Sequence, residues 1–152
     1  MFAERAALLF TFDNVRFDQS AAEDYYAILL GVVGDFTITI AGKTLYVEEE
    51  FCLAEFAAEV AAWWRRLALM PCDFSYESIE SDDIGLVWIR EREGNWQIGG
   101  LDQEYEGNQT FPLEAIGKAI EDYIADLHHL LATRFALDLN AFIRLHMQRY
   151  PL

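Results

Sequence analysis

Apolar positions recur at two different periods along this chain. Residues 36 to 40 alternate, with Phe36, Ile38 and Ile40 interleaved by Thr37 and Thr39. That is the period of a half-buried strand. Ala41, Gly42 and Lys43 make a turn and "TLYV" returns, so a β-hairpin is predicted. Upstream, "ALLFTFDNVRF" (7 to 17) fits a first strand, and "SAAEDYY" (20 to 26) fits a helical turn with Ser20 as its N-cap. The apolar run "YYAILLGVV" (25 to 33) reads as a buried strand.

The period changes at residue 51. Leu53, Phe56, Val60, Trp64 and Leu67 form one stripe at helical spacing, and Pro71 closes a helix predicted over 51 to 69. Glu48, Glu49 and Glu50 would then sit ahead of it, where negative charge suits the helix dipole. Three strands are predicted next, over 73 to 78, 84 to 92 and 96 to 103. The last two join through "EREGNW". A Gly94-Asn95 loop pairs Trp96 with Glu93, whereas a loop including Glu93 pairs Trp96 with Arg92. A slip of one residue exchanges every face, and the sequence leaves the register open. Gly99 and Gly100 mark a bulge or the close approach of another group, an indole being a candidate.

Leu113, Ile116, Ile120, Tyr123, Ile124, Leu127 and Leu131 predict a helix over 112 to 132, with Pro112 in its first turn. Continued to Tyr150 it would span ~57 Å at 1.5 Å per residue, too long for one domain. A break is therefore expected near 133 to 140, then a short helix before Pro151. The order predicts one α+β domain over 1–152: a single antiparallel sheet of about five to six strands, two main helices on one face, and a short C-terminal helix. Leu53, Val60, Trp64, Ile116, Ile120 and Leu127 should be buried.

Composition adds a ready core, since 53 % of the 152 residues are apolar and 14 % aromatic. No apolar run approaches the ~20 residues of a membrane span. The N-terminal "MFAERAALLF" lacks a basic leader and a cleavage site, so no signal peptide is expected. Cys52 and Cys72 stand in no metal-type spacing and are expected as buried reduced thiols in a cytoplasmic protein.

Charge changes the picture most. The net charge is −15, and residues 73 to 110 hold ten acids against Arg90 and Arg92 alone. Such a field repels nucleic acid and anionic lipid and draws basic surfaces. Catalytic templates are missing: there is no GxSxG, no GxGxxG and no GxxxxGK[ST], and only Lys43 and Lys118 supply lysine. Asp126 and His129 share a helical face, but His128 points away and no second helix offers matching ligands. No cofactor, metal or catalytic residue is expected. Instead, Glu77, Glu80, Asp82 and Asp83, with Trp96, Glu104, Tyr105 and Glu106, form a candidate partner-binding edge. Its aromatics would supply contact area and its carboxylates would steer a basic protein.

The segments "VGDFTITIAGKTLY", "EFCLAEFAAEVAAWW", "DFSYESIESDD", "VWIREREGNWQIGGLDQEYE" and "FPLEAIGKAIEDYI" resemble a family of small, acidic, uncharacterised bacterial proteins over about residues 30 to 130. In size, acidity and αβ make-up the chain is also similar to immunity proteins encoded beside bacterial toxins. That likeness implies a non-enzymatic inhibitor occluding a basic, nuclease-like toxin domain, and it transfers no catalytic residue. The alternative is a homo-oligomeric or scaffold-type domain whose acidity serves solubility.

Overall fold

In the computed structural model, which describes residues 7–79, 83 and 85–150, strand β2 (Val33–Ile40) turns into β3 (Lys43–Cys52) at Ala41 and Gly42. Both turn residues have positive φ, 52° and 80°. This is the two-residue turn whose twist matches that of the strands it joins. Strand β1 (Leu8–Arg16) lies antiparallel along β2, with Leu8 opposite Ile40 and Phe12 opposite Phe36. Phe10, Phe36 and Ile38 thus share the buried face. Near its end β3 carries a bulge. Glu50 adopts φ 54°, and its carboxylate takes Arg16 at 2.9 Å. The extra residue re-aims Phe51 and Cys52 into the core. The Glu48–Glu50 triplet is therefore strand, not helix lead-in, and the acid in the next helix's first turn is Glu55.

The run 25 to 33 is not a strand over most of its length. Asp24 accepts from the N–H groups of Tyr26 and Ala27 and starts helix α1 (Tyr25–Gly31). A short apolar run suits strand or buried helix equally, and here the cap decides. Ser20 is no cap either. It lies inside a 3₁₀ turn over Gln19–Ala21 that Asp18 caps.

The expected single sheet is two. Among the described residues, β1, β2 and β3 form one antiparallel sheet. β4 (Phe74–Tyr76), β5 (Val87–Arg92), β6 (Asn95–Gly100) and β7 (Thr110–Phe111) form another. Helix α2 (Leu53–Leu67) runs between β3 and β4 in the chain, and β3 of the first sheet lies against β6 of the second. The β5–β6 loop is Glu93-Gly94, both at positive φ, so Trp96 faces Glu91 and neither sequence register holds. Val87, Ile89, Trp96 and Ile98 point inward, while Trp88 lies on the other face. A Cβ on Gly99 would collide with the Trp88 indole, which identifies the close-approaching group.

Phe56 of α2 joins the layers. Its ring lies 5.0 Å from Phe36 of the first sheet, 5.3 Å from Tyr76 of the second, and 5.5 Å from Tyr123 of α3 (Leu113–Phe135). The Tyr123 hydroxyl donates to the Leu53 carbonyl at 2.8 Å. Both main helices thus reach one aromatic cluster on the inner face of the first sheet. Trp63, not Trp64, is the fully buried indole of α2, and its Nε1–H donates to the Cys72 carbonyl. Trp64 is half-buried and rests on Gly117 of α3. Helix α3 ends at Ala136 (φ 53°), Asp138 caps the next helix, and α4 (Leu139–Arg149) turns back, so the expected break is present. Cys52 is buried, its thiol 3.9 Å from the Leu30 carbonyl, and Cys72 is half-buried; the two are not joined in a disulfide.

Candidate functional site: a carboxylate-lined cleft

Residues 55, 59, 62 and 66 of α2 stand four, three and four apart, so they share one helical face. That face meets the aromatic core only at Glu55, through the Tyr76 hydroxyl. It walls a cleft of about 550 Å³ whose other sides come from α1, β4 and its following loop, and the end of α4. A volume of this size is that of a small-ligand or side-chain site. Leu29, Ala62, Phe74 and Ile79 supply apolar wall, and Glu55, Glu59, Asp73 and Glu77 supply carboxylates.

Two of these acids are tied to the body of the protein. Glu55 is only 3 % exposed. Its Oε1 accepts from the Tyr76 hydroxyl at 2.6 Å and its Oε2 from the Ile79 N–H at 3.3 Å. Burial, reinforced by the Glu55 charge, pushes the Tyr76 phenol far above its ordinary range, so it remains a donor. Glu59 Oε2 lies 2.8 Å from Nε2 of His146, which is itself buried. The other ring nitrogen, Nδ1, lies 2.7 Å from the Tyr25 hydroxyl. Burial, followed by the charge of Tyr150, pushes Tyr25 up to about 12. The Glu59 carboxylate can only accept, so Nε2–H donates to it, and in the neutral imidazole Nδ1 then accepts from the phenol.

The chain Tyr25–His146–Glu59 joins α1, α4 and α2. It uses both ring nitrogens, so the imidazole offers none to a bound molecule. Ser75, one of the hydroxyls in the cleft, donates to the exposed Glu77 carboxylate at 3.3 Å. Four carboxylates around one concavity give it a negative potential.

The proposed partner-binding residues are dispersed. Glu77 is exposed and lines the cleft. Asp83 is exposed and lines a separate concavity with Glu48, Glu49 and Glu50. Glu104 and Glu106 are exposed and line neither. Tyr105 is half-buried, with the Lys43 ammonium 4.0 Å from its ring centroid. Glu80 and Asp82 lie outside the described residues. Trp96 must be withdrawn as a surface aromatic. It is 6 % exposed and packs edge-on against Trp63 at 5.7 Å, because the Glu93-Gly94 turn directs it inward.

Sequence reasoning missed Glu55, Glu59, Tyr25 and His146. The only local signal was the 55/59/62/66 spacing, and His146 shows no acid at helical spacing within α4. Asp126 and His129 are exposed on α3, and His128 Nδ1 lies 3.8 Å from Asp138 instead. Among the described residues, no three His, Cys, Asp or Glu side chains are grouped to hold a metal ion. Among the same residues, no helix is long and apolar enough to cross a membrane.

The fold and cleft define an α+β domain with an anionic concave site. The chain belongs to the family described as a domain of unknown function (DUF7878), whose model matches residues 8–133. The matched stretch includes Tyr25, Glu55 and Glu59, while α4 with His146 follows it. No curated protein and no solved structure matches the chain.

Proposed function

We propose that this protein is a non-enzymatic binding protein for a basic partner protein, acting in the cytoplasm as an immunity-type inhibitor that occludes a toxin domain. The observation that carries this reading is the cleft walled by Glu55, Glu59, Asp73 and Glu77 in a chain of net charge −15. Exposed Glu77, Asp83, Glu104 and Glu106 extend the negative field beyond it. Such a field accelerates encounter with a cationic surface, and the acids then occupy basic residues that would otherwise hold nucleic acid phosphates.

The test uses the partner captured from the native host on immobilised protein. Association should slow steeply as salt shortens screening to ~10 Å and below. Changing Glu77 and Glu80 to Gln, and Asp82 and Asp83 to Asn, should slow association at least ~10-fold at low salt with little loss of stability. An unchanged rate would reduce these acids to a solvated edge, and a lost turnover would make the protein an enzyme.

A second reading, a homo-oligomeric domain whose acidity serves solubility, is favoured by the outer face of the first sheet. There Leu9 and Val47 are 45 % and 46 % exposed beside Thr37 and Thr39. Sedimentation equilibrium separates the two, since the first reading expects a monomer until partner is added.

A further inference from the structure

We infer that the cleft is a receptor for one guanidinium group on an aliphatic stem, the chemistry of an arginine side chain. This rests on the reading that the protein binds a basic partner, and it names the group recognised. The cleft is amphipathic in the manner such a group requires. Leu29, Ala62 and Phe74 can cover a methylene stem, while carboxylate oxygens take the head.

The oxygens are prepared for that task. Glu59 uses Oε2 on His146, Asp73 uses Oδ1 on the Glu91 N–H, and Glu77 uses Oε2 on Ser75. Each acid is thus oriented by one protein hydrogen bond and keeps a second oxygen for a ligand. Glu55 has both oxygens engaged, so it adds negative potential from the floor without being a contact. Three separate acceptors around one concavity match a planar group with five N–H donors better than a compact ammonium. Arg66 lines the same cleft and makes no ion pair with a described carboxylate, so the protein's own guanidinium does not occupy the acids.

His146 has a positioning role. Locked between Tyr25 and Glu59, it holds the Glu59 carboxylate in one orientation while leaving its side chain 40 % exposed to the cleft. Ordering the acceptor before the ligand arrives lowers the entropy cost of binding.

The test titrates the whole protein, labelled with ¹⁵N, with three probes: N-acetylarginine amide, N-acetyllysine amide and the neutral isostere N-acetylcitrulline amide. The arginine probe should give saturable amide shifts centred on residues 59, 73 to 79 and 146. The lysine probe should bind several-fold more weakly and the citrulline probe should not saturate. Glu59→Gln, which retains an acceptor for His146, should weaken the arginine probe about tenfold, the loss of one charged contact. Asp73→Asn and Glu77→Gln, both at exposed positions and both retaining an acceptor, should weaken it with the amide spectrum otherwise that of the folded parent, and Glu104→Gln should leave it unchanged. Equal shifts from citrulline, preference for lysine, or no saturation by arginine would each overturn the assignment. If the arginine probe fails while partner capture remains salt-dependent, the inference falls and the binding reading stands. If the probe binds but no basic protein is captured, the cleft serves a free guanidine ligand and the partner reading falls.

Discussion

The acids of α2 and the acids of the loops carry the same charge in opposite circumstances. Glu55 and Glu59 sit on a regular helix, are partly or wholly buried, and are hydrogen-bonded to Tyr76 and His146. Glu104 and Glu106 follow β6 in irregular chain and are open to solvent. A charge in water is screened within about 10 Å and belongs to the field of the whole molecule. A charge held at the wall of a cleft acts on whatever enters it and influences stability directly. Acidic composition pointed to the loop acids and hid the helix acids, which look like an ordinary polar face in the sequence.

That contrast breaks most sharply at Glu55. Glu55→Ala leaves the buried Tyr76 hydroxyl and the Ile79 N–H without an acceptor. It should cost about 3 kcal/mol, the penalty for orphaning partners of a buried charged group. Urea unfolding monitored by tryptophan fluorescence reads it, and a loss under ~0.5 kcal/mol would place Glu55 with the surface acids. His146→Ala comes next. Removing the imidazole strands Tyr25 and Glu59 and opens a gap between α1 and α4, for an expected loss of about 2 kcal/mol. Its amide-exchange signature should be faster opening confined to α4.

Tyr25, hydrogen-bonded to the cleft's His146, gives a pH signature that the loops lack. An unfolded tyrosine ionises near 10, whereas folded Tyr25 does so at about 12, so the unfolded state loses its proton first. Stability should be fully present below about pH 10 and decline as pH rises towards 12. Burial also holds Tyr46, Tyr76 and Tyr123 above the usual phenol range, which adds to the same decline. Tyr25→Phe should flatten part of this alkaline loss in urea midpoints compared between pH 9 and 11. The smallest effect is expected from Glu104→Gln with Glu106→Gln, within ~0.5 kcal/mol of the parent by the same assay.

Elements with long, clean periodicity were readable from the chain. The β2–β3 hairpin follows from Phe36/Ile38/Ile40, and the α3–α4 break follows from the length limit on one helix. The indole on Gly99 was also foreshadowed, because a glycine inside a strand marks close approach. Short or nearly symmetrical signals were not readable. Residues 25 to 31 became helix through the Asp24 cap. Trp63 displaced Trp64 from the core because α2 is flanked by both sheets and three helices, so burial extends beyond a single stripe.

The α+β class, the main helices and the Ala41-Gly42 turn follow from residues within a few places of one another, and the acidity from composition alone. Tertiary structure alone decided that there are two sheets, that Trp96 faces inward, and that Glu59 meets His146 across 87 positions of chain. Periodicity tells a side chain which face of its own element it occupies. It does not say which other element that face will meet, and a binding cleft is made of such meetings.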